Sequence, residues 1–217
     1  MNYIVIDHYT KIFRRKQVLN DICLKVRENS IVGFVGPNGS GKSMLFRAVA
    51  GLIHPTSGTV FIDGRPLGKH MAFPPSLGII IENVSLWSER NCMENLCLLA
   101  SIKNEICRND VQNAIERVGL DPNDKRPIKK YSLGMKQRLV IAQAIMERPK
   151  LIILDEPTNS LDEASIKLVY DIILEEHARG ATILLSSHNK ADISTLCDSV
   201  VHMHNGRVAD IEKEGEI

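Results

Sequence analysis

The chain has 217 residues, enough for one ordinary domain or for one domain carrying an inserted sub-domain. Its 27 Lys and Arg stand against 26 Asp and Glu, a formal net charge of +1, so there is no bulk electrostatic reason to coat nucleic acid or an anionic membrane. A content of 44% hydrophobic and 24% charged residues excludes a disordered or fibrous chain, and no apolar run approaches the roughly 20 residues that span a bilayer. Met1 to Asp7 shows no basic start, long apolar core or small-residue cleavage site, so no secretory leader is expected. The five cysteines (Cys23, Cys92, Cys97, Cys107 and Cys197) are odd in number and form no C-x-x-C pair. They read as small packing residues in a reducing compartment, not as a disulfide framework or zinc site.

Alternating apolar and polar residues predict strands over Tyr3 to Tyr9 and Val18 to Val26. Ile31 to Val35 reads as a buried central strand, followed by a glycine-rich turn and a helix to Ala50. Another strand is bracketed by Gly58 and Gly64, and a further one covers Gly78 to Ile81. From Asn91 the pattern turns helical. Leu96 and Leu99 share a face, Asn109 or Asp110 offers a cap for a helix to Val118, and Gly119 stops it. A further helix is expected over Lys136 to Glu147, closed by Pro149. The last third alternates: strand Leu151 to Leu154, helix Glu163 to Ala178 with an Ile166, Val169 and Ile173 stripe, strand Ala181 to Ser186, and a hairpin at Asn205-Gly206. Such alternation implies a mostly parallel sheet covered by helices, and residues from about Asn83 to Glu147 look like an inserted helical sub-domain. Ile217 follows the last hairpin so closely that no regulatory domain is expected there. Arg14-Arg15-Lys16 and Lys129-Lys130 read as solvated turns.

Gly36-Pro37-Asn38-Gly39-Ser40-Gly41-Lys42-Ser43 is a G-x-x-x-x-G-K-S segment between a strand and a helix. Its glycines let successive N–H groups wrap phosphate oxygens, and the helix start adds partial positive charge. Lys42 is suited to reach the β- and γ-phosphates, and the Ser43 hydroxyl to ligate Mg²⁺. Leu151 to Leu154 then delivers Asp155 and Glu156 at a strand's C-terminal end, where parallel α/β sheets build sites. Asp155 is assigned to Mg²⁺. Glu156, facing the other side of the strand, is assigned to orient or deprotonate an attacking water. His188, beyond a further strand, is placed to contact the γ-phosphate, although alone it reads as an ordinary surface residue.

In this order the motifs resemble the nucleotide-binding subunit of ATP-binding cassette (ABC) transporters over nearly the whole chain. The resemblance implies an α/β fold with a P-loop NTPase core, a mostly parallel sheet, an N-terminal antiparallel β sub-domain and an inserted helical sub-domain. The family's L-S-G-G-Q signature reads Tyr131-Ser132-Leu133-Gly134-Met135 here, keeping the Ser and second Gly but not the first Gly or the Gln. Its D-loop corresponds to Ser160-Leu161-Asp162 after Asn159. Phe13 falls where an aromatic residue stacks on adenine, with Val18 after it, and Met44 follows the phosphate loop. Where the family usually has a glutamine that reaches Mg²⁺ and faces the membrane partner, this chain has Glu82, followed by Asn83. A carboxylate there is an anionic oxygen ligand in place of a neutral one. Leu133, Met135 and Glu82 together resemble the bacitracin-resistance and lantibiotic-immunity branch of exporters.

The resemblance implies that two such chains, identical or related, pair head to tail around two ATP molecules. Each nucleotide then lies between Lys42, Ser43, Asp155, Glu156 and His188 of one subunit and Ser132 and Gly134 of the other. Hydrolysis reopens the pair and drives a separate membrane permease, which holds the subunit on the cytoplasmic face of the membrane. No nucleic-acid partner is expected. One alternative is a non-transport ABC ATPase in repair or translation. Repair members need long coiled coils that the span from Lys42 to Asp155 cannot hold, and ribosome-acting members usually carry two cassettes. A small-molecule kinase would share the phosphate loop but would not need the signature, the D-loop or His188.

Overall fold

The computed structural model describes residues 1–68, 71–82 and 86–213. The expected start of the helical insert, Asn83, and the terminal Ile217 lie outside them. The two alternating segments form strands longer than expected, β1 (Asn2–Phe13) and β2 (Lys16–Arg27). They pair antiparallel across a tight turn in which Arg14 (φ 48°) and Arg15 (φ 68°) are both left-handed, the geometry a two-residue hairpin demands. The chain then enters a second sheet as β3 (Ile31–Val35) and turns into helix α1 (Lys42–Val49). It returns to the first sheet as β4 (Ser57–Ile62) and the short β5 (Arg65–Pro66). This antiparallel sheet has the order β2-β1-β4-β5.

The rest of the chain completes the second sheet. In sequence come β6 (Leu77–Ile80), α2 (Cys92–Lys103), α3 (Arg108–Arg117), α4 (Leu133–Ile145), β7 (Leu151–Asp155), α5 (Glu163–Ala178), β8 (Thr182–Ser186), α6 (Lys190–Leu196), β9 (Ser199–His204) and β10 (Arg207–Lys213). The order is β10-β9-β3-β8-β7-β6. Neighbouring strands run parallel from β9 to β6, and only the β9–β10 hairpin is antiparallel.

Two hydrophobic cores flank the second sheet, which explains why its central strands are apolar throughout. Leu151, Ile153 and Leu184 face the first sheet and α1, joining Ile4, Ile6, Leu19, Val60, Leu45 and Phe46. Phe34 and Phe46 meet there edge to face with ring centres 5.1 Å apart. Ile152, Leu154, Ile183 and Leu185 face the other way, into a core shared with α2 to α6.

Several local expectations are corrected. The N-cap of α3 is Cys107, not Asn109 or Asp110; Asp110 instead accepts from the Cys107 N–H at 2.8 Å. The Cys107 thiol, and then this N–H, hold the Asp110 carboxyl below the usual carboxylate range. Helix α4 begins at Leu133, three residues before the expected Lys136, because the Ser132 hydroxyl accepts from Met135 N and caps it. Helix α6 was not anticipated, since its seven residues show no clear apolar period. Cys92 is buried as a packing residue, but Cys23 and Cys107 are exposed.

Gly78 lets β6 approach α4 closely: a Cβ there would lie 1.9 Å from the Ala144 carbonyl oxygen. Gly78→Ala is therefore expected to destabilise the fold by about 3 kcal/mol, the upper part of the overpacking range. Urea denaturation measures this, and an unchanged midpoint would mean that β6 can move aside.

Candidate functional site

The site grows from the break between β3 and α1. Gly36 has φ 150°, and a Cβ on it would come within 2.2 Å of the Met203 carbonyl oxygen, so the turn has no room for a side chain. Ser40 N donates to Pro37 O at 3.1 Å and Gly206 N donates to Ser40 O at 2.8 Å. The Asn205-Gly206 turn thus braces the loop, although its sequence signalled only a hairpin. Lys42 is buried and folds back, its Nζ donating to Gly36 O at 2.7 Å and Pro37 O at 3.4 Å.

The carboxylates arrive from the neighbouring strand ends. Asp155, the last residue of β7, accepts from Ser43 Oγ at 2.6 Å through Oδ2 and from the Ser186 hydroxyl at the end of β8 through Oδ1. Glu156 leaves the strand in the left-handed region (φ 53°), its N–H donating to Ser186 O at 3.2 Å. That backbone reversal, beyond simple strand alternation, directs its carboxylate to His188. Glu156 Oε1 lies 3.2 Å from His188 Nε2, and Oε2 accepts from His188 N at 3.4 Å.

These groups surround a cleft of about 760 Å³ lined by Val18, Asn38 to Met44, Glu82, Asp155, Glu156, Ser160 and His188 among others. The volume falls in the range of small-molecule sites. Most of the residues assigned from sequence therefore converge.

Others do not. Phe13 is outside the cleft lining, because the β1–β2 turn carries it to the hairpin tip. It is exposed there, with the Arg14 guanidinium carbon 5.5 Å from its ring centre. Glu82 lines the cleft, but its Oε2 is paired with the Arg47 guanidinium at 2.8 Å. Ser132 and Gly134 do not line it. They lie at the start of α4 against the D-loop, where a Cβ on Gly134 would sit 3.6 Å from Leu161 Cδ2 and 4.0 Å from Ser160 O. Asp162 caps α5 by accepting from Ser165 N at 2.8 Å, and the Ser165 hydroxyl together with this N–H lowers its carboxyl pKa. Sequence reasoning missed Gln137, which lines the cleft while donating to Pro157 O at 3.0 Å, and Ser186, whose polar place after an apolar strand was the available signal.

Known proteins match this arrangement. The family model described as "ABC transporter" matches residues 19–159. YybJ of Bacillus subtilis (strain 168), an uncharacterized ABC transporter ATP-binding protein, is 47% identical over 94% of this chain and 94% of its own. The lantibiotic transport ATP-binding protein SrtF of Streptococcus pyogenes is 33% identical over 96% of this chain and 90% of its own. The bacitracin transport ATP-binding protein BcrA of Enterococcus faecalis is 36% identical over 97% and 69%. A solved ATP-binding subunit of an ABC transporter superposes with a TM-score of 0.88 at 29% identity, covering 97% of this chain and 90% of that one. With its phosphate loop, strand-end acids and two-sheet fold matched along its length, this chain belongs to the ABC transporter family as an ATP-binding subunit.

Proposed function

We propose that the chain binds and hydrolyses MgATP in a head-to-tail dimer, and that it powers export of a peptide antibiotic or similar drug through a separate permease. The observation that carries the ATPase reading is the 2.6 Å hydrogen bond from Ser43 to Asp155. It brings a hydroxyl and a carboxylate from two distant segments to one point beside the phosphate loop, a hard oxygen donor set suited to Mg²⁺.

The residues present fit both groups. Among the described residues the Ser40 hydroxyl is buried without a hydrogen-bond partner, a polar group suited to a phosphate oxygen, and Lys42 engages backbone carbonyls, which a triphosphate can displace. Ser43 and Asp155 would hold the cation, which when bound neutralises phosphate charge. Glu156 then accepts a proton from the attacking water, and His188 contacts the γ-phosphate end. Glu82, held by Arg47 through Oε2, lines the same cleft and is a further oxygen donor for the cation. Ser132 and Gly134 serve the partner's nucleotide, with Ser160, Leu161 and Asp162 at the junction of the subunits.

Export is supported by the lantibiotic and bacitracin transport relatives. Among the described residues no helix is long and apolar enough to cross a membrane, and in this reading the permease tethers the chain to the inner face of the membrane. Two measurements test the proposal. The purified chain should release phosphate from ATP and stop when Mg²⁺ is chelated. Cells carrying Lys42→Ala should become more sensitive to bacitracin-like peptides. Unchanged sensitivity would sink export, and turnover without divalent cation would sink the metal assignment.

A further inference from the structure

Asp192 is a buried carboxylate that the hydrolytic site does not use directly. It lies on the first turn of α6 and is 1% exposed. Its Oδ2 accepts from Thr158 Oγ1 at 2.6 Å and from Ser187 Oγ at 2.6 Å, and its Oδ1 accepts from the Tyr170 hydroxyl. Burying a carboxylate is unfavourable unless such bonds compensate, and an apolar residue would fill the same volume more simply. Core packing alone therefore does not account for it.

The donors explain its place. Thr158 lies two residues beyond Glu156, and Ser187 immediately precedes His188. Asp192 thus ties together the two loops that present Glu156 and His188, just past the point where the Asp155–Ser186 bond joins their strands. Tyr170 adds α5, the helix that Asp162 of the D-loop caps. Burial and the neighbouring carboxylate push the Tyr170 phenol upward from its ordinary value, so it stays a donor at neutral pH.

We propose that Asp192 is a positioning residue: through Thr158 and Ser187 it sets the spacing of Glu156 and His188, and through Tyr170 it couples that spacing to the D-loop helix. The proposal rests on the ATPase reading above. Its test is a pair of substitutions at Thr158 in the full chain, measuring kcat, KM and nucleotide affinity together.

Thr158→Val keeps the volume and loses the hydroxyl, whereas Thr158→Ser keeps the hydroxyl and loses a methyl. Thr158→Val is expected to lower kcat about tenfold, the scale of one hydrogen bond to a charged group. KM and ATP affinity should stay within about twofold, because the phosphate loop is untouched. Thr158→Ser should retain nearly the wild-type kcat. A role in packing alone gives the reverse order, with Val tolerated and Ser impaired. Asp192→Asn, which replaces one acceptor oxygen by an amide NH₂, should resemble Thr158→Val. Wild-type kcat in Thr158→Val, or an equal loss in Thr158→Ser, overturns the clamp in an active enzyme. A wild-type chain without turnover overturns the ATPase reading and the clamp with it.

Discussion

Glu156→Gln is expected to bind ATP as the wild type does while steady-state hydrolysis falls by about 10²- to 10⁴-fold, the range that a positioned general base contributes. The substitution is nearly isosteric and leaves the phosphate loop, Lys42 and the Ser43–Asp155 bond in place. An amide oxygen can still accept from His188 N as Glu156 Oε2 does at 3.4 Å. What is lost is the basic carboxylate beside His188. Since ATP then persists, the ATP-bound dimer should accumulate, visible as a doubled mass by size-exclusion chromatography with light scattering in ATP but not in ADP. Turnover at the wild-type rate would remove Glu156 from the role of base. Loss of nucleotide binding would instead show that the carboxylate, through its contacts with His188, holds up the site.

The second large effect concerns shared sites. Lys42→Ala removes the buried ammonium from the phosphate loop, and Ser132→Asp puts a negative charge where the partner's triphosphate is proposed to lie. Aspartate is a good N-cap, so α4 should survive the second change. Each variant alone should be nearly inactive. Mixed in equal amounts, they should recover up to about a quarter of the wild-type rate, because random pairing makes half of the dimers mixed and each of those keeps one intact site of two. Failure to recover any activity in a mixture that demonstrably exchanges subunits would count against composite sites. Activity of Ser132→Asp on its own would remove the signature segment from the nucleotide.

The parts of the site legible in the sequence are those where one short segment carries both the chemistry and its backbone context. Gly36 to Ser43 and Asp155-Glu156 are of this kind: strand, turn and functional group are contiguous, so pattern alone places them. The missed parts depend on segments far apart. The Arg47–Glu82 pair joins a helix to the end of a strand, and Arg47 reads as an ordinary polar helix position. Asp192 lies in a seven-residue helix too short for a periodic signal, and its meaning comes from Thr158, Ser187 and Tyr170 on three other segments. Phe13 lies outside the cleft lining for a related reason. The sequence gives its place in the order of motifs, but the turn at Arg14-Arg15 decides where the ring ends up. The helix boundaries that moved, at Cys107 and Ser132, did so because caps are settled by single hydrogen bonds.

The strand order has a consequence for how the molecule is made. β3 supplies the phosphate loop early in the chain, yet both of its partners in the sheet, β8 and β9, begin only at Thr182 and Ser199. The loop's brace at Gly206 arrives later still. A nascent chain therefore holds β3 without its sheet partners until those two strands are made, the non-local pairing that slows folding and invites aggregation. The cleft lining likewise includes Asn205 and Gly206, so it is complete only when that turn is in place. A ligand held in this cleft is therefore expected to stabilise chains that carry the turn at Asn205-Gly206 more than chains that stop before it.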